Sequence, residues 1–329
     1  MSIYEEIKTS TRQFVFEPKI ENEEKLRKFS KYLIVGMGGS HEAGDLLKLI
    51  KPKLDIKIHS NYGLPPLSIE ELKERLIILN SYSGNTEEVL DAYEKALELD
   101  LQIIAISIGG KLLEKARKDE IPYIEMEDIK IDGVSIQPRS ALILSLKSML
   151  KAIGEEETLK EVGKLAETFH TENFETEGKE LAEKLRGYVP VIYASEKNFA
   201  LAYIWKIKFN ENGKIPAFYN VFPELNHNEM NGFDVINTTR PLSEKFYFIF
   251  LMDPEDHPKI EKRMKVTCKL YEDRNLKTHN IAISGDNIYH KIFSTLTKVD
   301  FATHFTALEY GLESEKIPMI DEFKKLMER

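Results

Sequence analysis

Arg75-Leu76-Ile77-Ile78-Leu79-Asn80-Ser81-Tyr82-Ser83-Gly84-Asn85-Thr86 decides how the rest of the chain is read. An almost wholly apolar run ends in a small polar loop, and apolar residues at helical spacing then continue to Leu97. This is strand, tight loop, helix, with the strand apolar enough to be covered on both faces. The same rhythm lies upstream, where Lys31 to Val35 breaks into Gly36-Met37-Gly38-Gly39-Ser40 and resumes as a helix through Ile50, followed by a strand at Leu54 to His59. Downstream come Leu101 to Ser107 with Gly109-Gly110 behind it, a strand at Ile121 to Met126, and a helix from Pro138 to Ile153. Alternating strands and helices of this kind predict an α/β fold, a parallel sheet flanked by helices in a Rossmann-like sandwich.

From Gly154 to Arg186 the chain is rich in Glu and Lys, with apolar residues at helical spacing and no strand signal, which reads as a helical connector. The strand rhythm then restarts. Val189 to Ala194 precedes a helix from Asn198 to Asn212, Phe246 to Leu251 precedes a helix ending at Tyr271, and Asn280 to Gly285 echoes Gln102 to Gly109. The second half therefore reads as a diverged copy of the first. The expected organisation is a domain over 1–153, a connector over 154–186, and a second domain with a helical tail over 187–329, as suits a chain of 329 residues.

Composition narrows the class. A net charge of −9 leaves no basic excess for a nucleic-acid backbone or an anionic membrane, so any anionic ligand must be small and held locally. No apolar stretch approaches the roughly 20 residues of a membrane span, and Met1 to Arg12 has no apolar leader, so a cytoplasmic location is expected. The single cysteine, Cys268, excludes an intramolecular disulfide and a cysteine-based zinc cage, and reads as a buried bystander. Asp256 and His257 lie between Pro254 and Pro258, which reads as a solvated turn rather than a metal site.

Ser81 to Thr86 is the expected anion site. It opens a helix whose first N–H groups have no intrahelical partner and whose dipole favours negative charge, while three hydroxyls and Gly84 add donors and room. A bare helix cap needs only one such residue. The rival dinucleotide fingerprint fails, because the third glycine of G-x-G-x-x-G falls on His41 and no acidic residue ends the next strand.

Together with Gln137-Pro138-Arg139, Asn210-Glu211-Asn212 and Glu224-Leu225-Asn226-His227-Asn228-Glu229, the two loops make the chain resemble the archaeal and bacterial bifunctional phosphoglucose/phosphomannose isomerases of the sugar-isomerase-domain (SIS) superfamily. The likeness spans nearly the whole chain. The two loops are shared across that superfamily, non-catalytic sugar-phosphate sensors included; the Asn-Glu-Asn and Asn-His-Asn-Glu motifs at this spacing narrow it to the isomerases. The resemblance implies two SIS-type domains. It places the substrate phosphate on Ser81, Ser83 and Thr86, with Gly38, Gly39 and Ser40 lining the first loop near the sugar. It makes Arg139 the stabiliser of an enediolate, Glu211 the isomerising base, His227 the ring opener, and Lys324, with Lys325 adjacent, an aid to ring opening. It further implies a homodimer with shared active sites, and neither metal nor cofactor. The chain departs from the pattern at His41-Glu42 after the first loop and at Thr303-His304.

The chemistry asks for these residue types. Aldose–ketose isomerisation opens a ring, removes the C2 proton and returns it at C1. A carboxylate can carry that proton both ways, an imidazole exchanges protons near neutral pH, and a guanidinium answers developing oxyanion charge without titrating. Without the resemblance, Glu211 reads as a solvated charge at a helix end, His227 as a hydrogen-bonded loop residue, and Arg139 and Lys324 as surface cations. An isomerase restricted to one sugar phosphate and a non-catalytic sugar-phosphate sensor remain as alternatives.

Overall fold

The computed structural model describes residues 2–327. Helix α1 (Ile3–Lys8) is followed by β1 (Lys31–Val35), α2 (Gly39–Ile50), β2 (Asp55–His59), α3 (Ile69–Lys73), β3 (Arg75–Asn80), α4 (Glu87–Glu98), β4 (Ile103–Ser107), α5 (Gly110–Lys118) and β5 (Tyr123–Glu125). A small hairpin, β6 (Lys130–Ile131) and β7 (Val134–Ser135), leads to α6 (Leu142–Ala152), α7 (Glu156–Gly163) and α8 (Leu165–Thr168). Then come α9 (Glu175–Leu185), β8 (Val189–Ser195), α10 (Phe199–Glu211), β9 (Phe218–Phe222), α11 (Arg240–Ser243), β10 (Phe246–Met252), α12 (Pro258–Glu272), β11 (Lys277–Ala282), α13 (Ile288–Glu309) and α14 (Pro318–Met327).

The chain forms two compact units, one over Thr9–Phe169 and one joining the residues up to Lys8 with those from His170 onward. In the first, five parallel strands run in the order β2-β1-β3-β4-β5, with Val35 opposite Leu79 and Asn80 opposite Ile106. Every residue of β3 and β4 is buried, which is why their sequences are continuous apolar runs rather than alternating ones. Leu33, Val35, Ile77 and Leu79 pack on one face against Val89 and Tyr93 of α4. At the strands' starting ends, Arg75 grips the Asp55 carboxylate through two bonds of 2.8 and 3.0 Å. The guanidinium beside it holds that carboxyl below the usual range.

In the second unit, four parallel strands run β11-β10-β8-β9. Read from the other edge this is second, first, third, fourth, the order of β2-β1-β3-β4, so the two sheets share one topology. The 22-residue α13 packs against α9 and α10, and Trp205 is buried with its indole N–H on the Thr295 carbonyl at 3.1 Å. Ile3 and Ile7 of α1 pack on Phe301 of α13. The first residues of the chain thus belong with the second unit, and the helices of 154–186 are divided: α7 and α8 go with the first unit, α9 with the second. Strand β9 gave no sequence signal. It is an edge strand with only Phe222 fully buried, and Asn220 interrupts its apolar pattern. No helix among the described residues is long and apolar enough to cross a membrane.

Candidate active site

In the first sheet the chain leaves β1 for β2 on one side and reaches β3 on the other, so a crevice opens at the carboxyl ends of β1 and β3. Both glycine- and hydroxyl-bearing loops end there. Ser40, in the first turn of α2, joins them: its Oγ accepts the Tyr82 N–H at 3.3 Å and its carbonyl accepts the buried Asn80 amide at 2.7 Å. Asn80 was not singled out from the sequence; a lone amide ending an apolar strand is the signal that marks it.

Across the second loop the Ser81 and Thr86 hydroxyls meet at 2.7 Å, and Ser81 Oγ also accepts the Gly84 N–H at 3.1 Å. Thr86 is the N-cap of α4, yet its side chain makes no capping bond to its own helix. The first amides of α4 have no carbonyl one turn back, so hydroxyls and N–H groups are gathered at the positive end of a helix. Ser83 is exposed at the rim, where its Oγ accepts the Asn85 N–H at 3.3 Å. Gly84 can only be glycine: its φ is +70°, and a Cβ there would lie 1.9 Å from the Gly109 carbonyl oxygen. The loop after β4 therefore nests against the anion loop and holds its shape.

The backbone at Arg139 comes up against the first loop. It lies in a single 3₁₀ turn, Pro138–Ser140, ahead of α6, and a Cβ on Gly39 would stand 3.4 Å from the Arg139 Cα. Gly38 caps α2. The expected residues of the first unit are thus together: Gly38, Gly39, Ser40, Ser81, Ser83, Thr86 and Arg139. One helical turn along α2, His41 Nε2 faces Asp45 Oδ2 at 3.6 Å. Burial lowers the His41 pKa and pushes the Asp45 carboxyl up to about 6, so the pair is not a full ion pair near neutrality.

The remaining expected residues belong to the second unit and sit on three separate elements. Glu211 is the half-buried last residue of α10. His227 is exposed at the end of a 3₁₀ turn, Glu224–His227, and its neighbours hold it out: Asn226 donates to Thr267 at 2.9 Å, Asn228 to Glu224 at 2.9 Å, and Glu229 accepts the buried Tyr193 hydroxyl at 2.5 Å. Lys324 and Lys325 are exposed on α14. No hydrogen bond or ion pair among the described residues joins Glu211, His227 and Lys324 to one another.

The matching crevice of the second sheet, at the carboxyl ends of β8 and β10, is filled by the chain's own charges. Asp253 Oδ2 accepts from Lys197 at 2.8 Å and Asn198 at 3.1 Å, and Asp256 Oδ1 accepts from Ser195 at 2.8 Å. In the turn expected to be solvated, Pro254, Glu255, His257 and Pro258 are exposed, while Asp256, like Asp253 just ahead of the turn, is buried against groups from the loop after β8, far away in sequence. Burial pushes Asp253 up, but its bonds from Lys197, the Glu255 amide and Asn198 win and hold it below the usual range. Asp256, with one oxygen lacking a partner, is pushed up by burial. Cys268 is buried, as expected.

Residues 174–327 match the family described as "Bacterial phospho-glucose isomerase C-terminal SIS domain". The chain is 32% identical over 317 residues to the bifunctional phosphoglucose/phosphomannose isomerase of Caldicellulosiruptor bescii, covering 91% of this chain and 90% of the relative. Its counterpart in Aquifex aeolicus is 27% identical over 334 residues, covering 99% and 98%. Among solved structures, the glucosamine-6-phosphate deaminase of Thermotoga maritima superposes with a TM-score of 0.67 over 96% of this chain and 97% of its own. At 17% identity that is a likeness of fold.

Proposed function

This chain belongs to the bifunctional phosphoglucose/phosphomannose isomerase family, and from that premise we propose that it interconverts glucose 6-phosphate and mannose 6-phosphate with fructose 6-phosphate. The observation that carries the reading is the cradle at the carboxyl ends of β1 and β3, where the Ser81–Thr86 pair, the opening amides of α4 and the Arg139 turn converge. Ser81, Ser83 and Thr86 hold the phosphate, and Ser40 lies toward the sugar. His227, assisted by Lys324, exchanges protons between O5 and O1 to open the ring. Glu211 removes the C2 proton, breaking C2–H; its carboxyl exchanges protons with water while the enediol lasts and then returns a proton to C1, as a hydroxyl proton passes from O2 to O1. Arg139 answers the negative charge that develops on O1 and O2. Every step is a proton transfer, so the sequence of events balances without an external oxidant or reductant.

The enzyme works in the cytoplasm as a homodimer with shared active sites, taking its ring-opening imidazole from the partner subunit's His227. The exposure of that side chain, with its neighbours tied into their own unit, supports the arrangement.

The test incubates chelator-treated protein with fructose 6-phosphate in heavy water and follows both aldose phosphates by NMR. Both should form with deuterium at C2, and Glu211→Gln should lower the rate by about 10²–10⁴-fold. Formation of one aldose alone would leave an isomerase restricted to that sugar. Binding without turnover would point to a sensor.

A further inference from the structure

The lysine that follows Asn210-Glu211-Asn212-Gly213 stands in an unusual conformation. Lys214 has φ +59°, the left-handed region that a chain leaving a helix normally gives to glycine. A glycine is present one position earlier, at Gly213, where φ is ordinary and a Cβ would lie 2.8 Å from the Phe209 carbonyl oxygen. Placing a long side chain in the left-handed region strains the backbone.

The ammonium has specific targets. Lys214 Nζ donates to the main-chain carbonyl of Glu211 and, at 3.0 Å, to the carbonyl of Ser314. Ser314 is itself anchored: it is 1% exposed, and its hydroxyl lies 3.4 Å from His304 Nδ1 on α13. The next residue, Glu315, accepts the Ile3 N–H at 2.8 Å. Other bonds fasten the same helix end, with Asn210 Nδ2 on the Ile215 carbonyl at 3.0 Å and Lys208 paired with Asp300 of α13. Lys214 thus ties the last turn of α10 to a fixed stretch that opens, four residues later, into α14.

We propose that Lys214 is a positioning residue: through the Glu211 carbonyl it sets where the base stands, and through Ser314 it links that turn to the helix bearing Lys324. The inference rests on the isomerase reading of Glu211. A carboxylate that moves a carbon-bound proton must be placed within a fraction of an ångström, and a displacement of about 1 Å costs about 10²-fold in rate. The bland alternative is a cation soothing a helix C-terminus, which affects stability and leaves the chemical step alone.

Steady-state kinetics on fructose 6-phosphate and thermal melting of the full-length Lys214→Gly and Lys214→Arg variants separate the two. Glycine removes the ammonium and also relieves the left-handed strain, so the variant should melt at or above the parent temperature. Its kcat should nevertheless fall by about 10–100-fold, with KM changed by less than about threefold. Lys214→Arg, which keeps a charged donor, should recover much of kcat. A Lys214→Gly variant with parental kcat, or one whose loss lies in KM alone, overturns the proposal and leaves the isomerase reading standing. Wild-type protein with no turnover overturns that reading, and this proposal with it.

Discussion

The loop after β3 and the loop after β10 hold the same place in two sheets of one strand order, yet the first collects hydroxyls and the second collects carboxylates. At the first, Ser81 and Thr86 face each other at the mouth of a helix whose first turn carries Glu87 and Glu88. At the second, Asp253 and Asp256 take the place an anion would take, and Lys197 and Lys291 close on Asp253 at 2.8 and 3.6 Å. The comparison teaches that topology supplies a crevice ahead of a helix twice, and that loop chemistry decides which crevice the chain fills with its own carboxylates. Where the chain brings its own carboxylates, the site becomes internal structure.

The largest expected effect comes from giving the first crevice the chemistry of the second. Thr86→Asp puts a carboxylate at the mouth of α4, where aspartate is also a good N-cap, so the fold should melt at the parental temperature. KM for fructose 6-phosphate should rise by about 100-fold, equivalent to about 2.7 kcal/mol, and steady-state kinetics beside a melting curve would show it. A parental KM would break the comparison.

The reverse change sharpens it. Asp253→Ala removes the acceptor shared by Lys197 and Asn198 while Lys291 keeps Glu255. Because Lys197 is partly exposed, the loss should be about 2 kcal/mol, below the roughly 3–5 kcal/mol of a fully buried ion pair, with KM untouched. The folded pKa of Asp253 lies below its unfolded value, so its contribution is present above about pH 4 and fades as pH falls through the folded pKa. Melting curves of parent and variant should therefore converge in acid.

Asp256→Asn is the smallest case and has the opposite sign. Burial raises the Asp256 pKa, so the folded state holds its proton more tightly than the unfolded chain, and stability falls as pH rises from about 4 through the folded pKa. Asparagine removes that fall. It should raise stability at pH 7 and leave the acid limb unchanged, as melting from pH 4 to 7 would reveal.

Much of this was legible along the chain, and what was missed has common causes. Strands β1, β3 and β4 of the first sheet could be read because they are covered on both faces and therefore almost continuously apolar. Strand β9 could not, because an edge strand with one fully buried residue carries no such run. The turn at Pro254 to Pro258 read as solvated since prolines and acids usually mark the surface, and it is so except at Asp256, whose burial depends on Ser195 and Asn198, some sixty positions upstream. Glu211 and His227 were visible through their motifs, while Lys214 beside them showed no signal beyond its place after Asn-Glu-Asn-Gly.

By itself the sequence determined two parallel α/β sheets and the one loop suited to a phosphate, because strand burial and an open helix N-terminus follow from residues adjacent in the chain. Tertiary structure alone decided the order β2-β1-β3-β4-β5, the bond from the Tyr82 amide to Ser40, the housing of α1 with the second unit, and the destination of the Lys214 ammonium. Each of these depends on groups brought together from distant segments. The strength of a hydrogen bond or a charge there is set by neighbours and burial that no local pattern records.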